Sequence, residues 1–141
     1  MVFSRQYATP RAWRLLKLGA QREQGKLGGR SLHTIHFLLA LSRFKTGDAV
    51  GNLHVLCGDM RRLQKTSVAS ISAGAVDVET TAEEIFRLAE VEAVARNSNR
   101  VDLEDILIAL VKAPGLAAFI LGYLGVTPET LRQALAMKCA K

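Results

Sequence analysis

The chain is short of the residues that staple, break or anchor a fold. Two of its 141 residues are cysteine, three are proline and only 6% are aromatic. Cys57 and Cys139 stand far apart, with no CxxC pair and no Cys/His spacing of the kind a metal site uses. Two free thiols in a reducing compartment is the reading, with a single disulfide as the alternative. Long apolar runs are missing too. Phe37 to Leu41 is typical of those present and is far too short to cross a bilayer, so no membrane partner is expected. Acids are the scarcer charge, 13 against 19 Lys and Arg, leaving a net charge of +6.

What is present is ordinary globular material. Half the residues are apolar (49%) and 23% are charged, which argues against general disorder. A chain of this length fits one domain and buries roughly two-thirds of its unfolded surface. The charge is lopsided. Arg5, Arg11, Arg14, Lys17, Arg22, Lys26 and Arg30 face one acid, Glu23, in the first 30 residues, whereas Asp77 to Asp105 holds nine acids. The basic excess favours an anionic partner, either an acidic protein face or nucleic acid. An Arg-rich, acid-poor start is also a feature of organelle presequences, but these residues take part in a repeat and are read as folded structure.

Helix punctuation is legible throughout. Thr9-Pro10 supplies an N-cap and a first-turn proline for a helix to about Gln24, stopped by Gly25, Gly28 and Gly29. Trp13, Leu16 and Ala20 mark its buried face, with Trp13 expected in the core. Thr34 to Arg43 is a second, very apolar helix. Asp48–Leu56 and Asp59–Lys65 read as shorter helices parted at Gly58, and residues 67–78 as a linker rich in Ser, Ala and Gly. A helix then opens at Thr80 or Thr81, burying Ala82, Ile85, Phe86, Ala89 and Ala93. Asp102 caps the next, with Ile106, Leu107, Ala109 and Leu110 inside. Pro114-Gly115 breaks the chain, a short helix runs through Tyr123, and Thr127-Pro128-Glu129 opens the last.

These helices fall into two copies of one unit. Ala12 to Gly19 matches Ala82 to Ala89 at an offset of 70 residues, and Ile35 to Leu41 matches Glu104 to Leu110 at 69. Leu56 and the residues through Leu63 match Leu124 through Leu131 at 68. The same order with single-residue slips means duplication. The fold class expected is all-α: a duplicated four-helix unit forming an eight-helix, pseudo-twofold bundle. Residues 1–141 form a single domain, with repeat one at about 7–66 and repeat two at about 79–137.

The duplicated pattern resembles the N-terminal repeat domain of the Clp (AAA+) protein unfoldases. Each family repeat runs roughly F-T-x-x-A-x-x-x-L-x-x-A, then G-T-E-H-L-L-x-x-L, then an L-G-V close. Here repeat one offers Tyr7, Thr9, Ala12, Leu16, Thr34, His36, Leu38 and Leu39. Repeat two offers Ala82, Phe86, Ala89, Glu104, Leu107 and the close Leu124-Gly125-Val126. The resemblance implies a non-catalytic module that binds substrates or adaptor polypeptides for a Clp ATPase/protease machine, in the bacterial cytoplasm or a plastid stroma. The ring of such a machine needs a G-x-x-x-x-G-K-[ST] phosphate loop, which these 141 residues lack. The chain is thus expected to be a free-standing modulator or a piece of a longer ATPase, and no cofactor is expected. A small basic nucleic-acid-binding protein is the rival reading.

Some members of the family bind phosphorylated arginine through the repeat's Thr and the Glu before the His. Carried over, repeat one has Thr9 but Ile35 in place of the acid. Repeat two has Glu104, but Glu79 where the Thr belongs, with Thr80 one residue later. Read within each repeat, neither pair is complete, and the Ile35 site lacks the carboxylate a guanidinium needs. Asp105 replaces the second family histidine, so its cap is either rebuilt or lost.

His33 and His36 have no third ligand nearby, and His54 and Cys57 no partner base, so all are read as structural and no metal is expected. Asp102, Glu104 and Asp105 are explained as an acidic helix start rather than a catalytic pair. A basic face formed by Arg11, Arg14, Lys17, Arg61 and Arg62 is the candidate platform for an acidic partner.

Overall fold

A computed structural model describes residues 2–28, 31–44, 60–74 and 76–139, with side chains for 2–28, 31–44, 61–74 and 76–133. Helix α1 (Pro10–Arg14) passes without a break through a π-helical turn, Leu15–Gly19, into α2 (Ala20–Leu27). After these come α3 (Thr34–Ser42), α4 (Met60–Ser72) and α5 (Ala82–Ala95), then α6 (Leu103–Lys112), α7 (Leu116–Tyr123) and α8 (Pro128–Cys139). Among the described residues the only β contacts are two isolated bridges, Ala8 with Val101 and His33 with Glu79. The fold is the all-helical bundle that the sequence pattern predicts.

The two most apolar helices lie at its centre. Every residue of α3 is buried, as is α6 from Leu103 to Leu110. Phe37, Leu38 and Leu41 of α3 and Ile106, Leu107 and Leu110 of α6 belong to one core with Leu16, Ile85 and Phe86. Burying such side chains contributes about 1.5–3 kcal/mol each.

Several helix boundaries move from their expected places. The first helix runs past Gly25 to Leu27 and stops at Gly28, whose φ of +75° supplies the left-handed cap. The expected helix at 48–56 lies outside the described residues, as do Asp48, His54, Cys57, Gly58 and Asp59. The segment read as a linker from residue 67 is helical to Ser72. Leu63 and Ser67 are buried and Ile71 packs on the core, a stripe one turn apart. The hydroxyls of Ser67 and Ser70 donate to the carbonyls of Leu63 and Thr66, four residues back, so small polar residues sit inside the helix without an unmet donor. Trp13 is only partly buried. It lies at the core's edge, 5.4 Å from the Phe3 ring, because Phe86 and Leu16 already fill the interior.

The slip from 70 to 69 residues between the repeats has a physical site. At the start of the π turn, Leu15 and Leu16 take the buried places of Ile85 and Phe86; after it, Ala20 and Glu23 take those of Ala89 and Glu92. One extra residue is absorbed in the helix, and both copies keep the same buried face.

Candidate functional site

The lead-in to α1 pairs with the other repeat, not with its own. Thr9 donates its N–H to the Val101 carbonyl (2.9 Å), and Val101 donates back to Tyr7 (2.8 Å). Reciprocally, Thr80 donates to the Leu32 carbonyl (2.9 Å) and Thr34 to that of Val78 (3.4 Å). Each repeat therefore delivers its threonine to the α-helix start of its twin. Thr9 meets Asp102, and Arg11 reaches Glu104, while Thr80 and Glu79 pair with Leu32 and His33 just before α3. The backbone thus brings the threonine of one repeat to the acidic helix start of the other, where its recorded partner is Asp102.

The Thr9 site is already filled by the chain's own charges. The Thr9 hydroxyl donates to Asp102 Oδ1 (2.8 Å) and accepts from the Ala12 N–H. Arg11 forks onto Asp102 through Nε and Nη2, both at 2.8 Å, and approaches Glu104 Oε1 at 3.5 Å. Burial pushes the Asp102 carboxyl up, but Arg11, the Leu103 N–H and the Thr9 hydroxyl outweigh it and bring it down to about 2. Asp102 is thus an anion throughout the physiological range. A phosphoryl group approaching the Thr9 hydroxyl meets that charge at hydrogen-bond distance, which opposes phosphoarginine recognition here.

The second site is built on Asp77, at the end of the segment expected to be a linker. Its Oδ1 accepts from the Thr34 hydroxyl (2.6 Å), the Leu116 N–H (2.8 Å) and its neighbour Val78 (2.7 Å), and its Oδ2 from the Ile35 N–H (2.9 Å). One carboxylate thereby caps α3 and α7 together. Gly115 makes the approach feasible: a Cβ there lies 2.7 Å from Thr34 Oγ1 and 2.9 Å from Asp77 Oδ1. Ile35 is buried and lines a cavity of about 190 Å³ with Leu27, His33 and Leu116, which holds no carboxylate other than the bonded Asp77. Thr80 turns its hydroxyl to Glu84 (3.2 Å) and Glu79 is exposed.

The histidine pair and the acid that replaces its twin do the same work. His36 Nδ1 accepts the N–H of His33 at 2.9 Å, and Asp105 Oδ2 accepts that of Asp102 at 2.9 Å. Burial, then the neighbouring His33, lowers the His36 pKa, consistent with a ring that must stay an acceptor. Asp105 is wholly buried and is gripped by Arg96 through Nε (3.0 Å) and Nη2 (2.6 Å). The cap is rebuilt in a different chemistry. Among the described residues no cluster of three His, Cys, Asp or Glu side chains is placed to hold a metal.

The expected basic face divides. Arg11 turns to Asp102. Arg14 and Lys17 are exposed on the first helix, with Lys17 Nζ 5.3 Å from the Trp13 ring centre. Arg61 and Arg62 are exposed on α4, where Arg62 borders a separate groove of about 450 Å³ with Phe119 and Tyr123. Arg22, a further candidate for that face, stands beside Arg14 around another groove, of about 390 Å³, with Lys26 and Arg43, which the sequence did not suggest.

Comparison with known proteins bears on the same frame. Residues 77–141 match the Clp repeat (R) N-terminal domain family. Over 139 residues, 94% of the chain, it is 33% identical to the negative regulator of genetic competence ClpC/MecB of Bacillus subtilis. The chain belongs to the Clp N-terminal repeat family. It is also 31% identical to the chaperone protein ClpB of Oceanobacillus iheyensis, and spans 17% of the length of each of these two relatives. The N-terminal domain of ClpD from Arabidopsis thaliana shares the fold at a TM-score of 0.67 and 21% identity, over 100% of this chain and 98% of that one. A structure from work on a malarial protein secretion system superposes at 0.74 with 20% identity, over 94% of both chains. Against the Clp repeat pattern G-T-E-H, the second copy here reads Asp102-Leu103-Glu104-Asp105. The departure that matters is Asp102, an acid where the Clp repeat has glycine, because it recruits Arg11.

Proposed function

We propose that this Clp N-terminal repeat is a polypeptide-binding module that receives substrates or adaptors for a Clp ATPase/protease machine, or modulates it, and catalyses no reaction itself. The observation that carries this reading is the state of its buried acids. Glu23, Glu92, Glu104 and Asp105 are all buried, and each lies against an arginine or lysine at 3.5 Å or closer. Carboxylates so held serve as struts, whereas a general acid or base needs a proton it can exchange with a substrate. Of the four, only Glu23 borders a groove, and there it is 3% exposed and held by Arg43. Membership of the Clp N-terminal repeat family supports the polypeptide as ligand.

The test is capture from a lysate of the source organism by the tagged chain, at low and high salt, with and without nuclease. Recovery of Clp ATPase, protease subunits or an adaptor irrespective of nuclease supports the reading. Recovery of nucleic acid alone, stripped by salt, replaces it with the rival, which rests on the +6 charge.

A further inference from the structure

Along the outer side of the first helix, two grooves of about 390 and 380 Å³ share Arg14 and Leu18 and so form one trough. Arg5 and Lys17 border one end and Arg22, Lys26 and Arg43 the other. The one acid in its lining, Glu23, is 3% exposed and is held by Arg43 (3.2 Å) and Lys26 (3.6 Å). Arg14 and Arg22 have no carboxylate within ion-pair distance among the described residues. Between the cations the floor is apolar: Leu18 is 55% exposed, and Phe44 and Ala40 lie at the far side.

We propose that this trough binds an extended, acidic polypeptide segment that alternates carboxylates with aliphatic side chains. The proposal rests on the polypeptide-binding reading above and specifies its ligand. Charge complementarity selects the sign, since a strip of six cations repels basic segments and gathers acidic ones. The exposed leucine selects the alternation, because an extended chain sends successive side chains to opposite faces and allows every second residue to reach the floor. From Arg14 to Lys26 the helix rises about 18 Å, the reach of five or six extended residues. Single-stranded nucleic acid is the weaker fit, since it needs aromatic faces to stack on. Here the Phe3 and Trp13 rings pack on one another and Lys17 covers both, at 5.4 and 5.3 Å.

The test is fluorescence anisotropy of the whole chain with a labelled peptide that alternates glutamate and leucine. The peptide is expected to bind, to weaken as salt rises, and to lose about tenfold or more in affinity to R14E/R22E. Both positions are exposed, and R14Q/R22Q provides a milder pair that should lose affinity in the same direction. R62E, beside the groove on α4, is expected to leave binding unchanged. No binding, binding that survives R14E/R22E, an equal loss in R62E, or equal affinity for a serine-for-leucine peptide each overturns the proposal. Tighter binding of a single-stranded oligonucleotide, lost in the same double variant, overturns it in favour of nucleic acid. If R14E/R22E still captures Clp components from lysate, the trough assignment falls while the broader function stands.

Discussion

Glu23 and Glu92 occupy the same place in the two repeats, and each reaches a cation 20 residues further on. Glu23 accepts from Arg43 Nε at 3.2 Å, and Glu92 from Lys112, with Arg132 adding a second contact at 3.2 Å. Each pair clamps the first helix of a repeat to the end of its central helix. Burial pushes Glu92 up, but Lys112 and Arg132 outweigh it and hold the carboxyl below its ordinary value. A lowered folded pKa means stability that is present above about pH 4.5 and lost as pH falls through the folded value. Glu92→Gln and Glu23→Gln are each expected to cost about 1–2 kcal/mol at neutral pH. Urea unfolding checks this, and the Glu92→Gln deficit should shrink in acid.

Asp77 should prove the more sensitive position. Replacing it by alanine strips acceptors from the Thr34 hydroxyl and from the Ile35 and Leu116 N–H groups, two of which cap different helices. The expected loss is about 3 kcal/mol, with Asp77→Asn intermediate because one carbonyl oxygen remains. A Gly115→Ala variant should be destabilised through the same contacts, since its methyl meets Thr34 and Asp77 below 3.0 Å. Equal stability of Asp77→Ala and the parent in urea would contradict the double cap.

Arg96 guards a buried charge. Asp105 has no exposed surface; burial raises its pKa, and Arg96 opposes that rise. Arg96→Met leaves the carboxylate without its partner and is expected to cost about 3–5 kcal/mol at pH 7. Without Arg96, Asp105 takes up a proton at higher pH, so the deficit should narrow as pH falls. A deficit constant from neutral to acid pH would show that the arginine acts through packing instead.

His36 gives the fold a second pH dependence. Its folded pKa lies below the ordinary 6.5, so the unfolded chain binds more protons in between and stability rises with pH there. Stability is therefore fully present above about pH 6.5 and is lost as pH falls through the folded pKa. His36→Gln keeps an acceptor at the third helical position and removes the proton. Thermal melts across this window should slope for the parent and lie flatter for the variant.

Much of the fold was legible because its signals are local or periodic. The caps at Thr9, Thr81 and Asp102 and the stripe Ile85, Phe86, Ala89 and Ala93 need nothing beyond their own helices. The site was legible only as residue types. Thr9 and Asp102 lie in different repeats, and their meeting depends on a two-residue ladder at Val101 that no periodicity announces. Asp77 was missed because its partners are 39 to 43 residues away and its own neighbours look like linker. The helix through Ser72 was missed because buried serines that bond their own backbone read as loop residues. Arg22, Lys26 and Arg43 join Arg14 only because α2 packs against the end of α3.

The spare residue in the π turn gives the two halves of the molecule different freedoms. One twin here carries one residue more than the other in the middle of a helix, and both keep the same buried seats. The turn that carries it, Leu15–Gly19, also carries Lys17 and Leu18 on its outer side, while Ala20 and Glu23 beyond it keep the seats of Ala89 and Glu92. Repeat one can thus rewrite its exterior while its interior remains a copy. The family match over residues 77–141 falls on the other twin, the conservative one. Divergence in this molecule is a division of labour: one half keeps the inheritance, and the other has room to acquire a new correspondent.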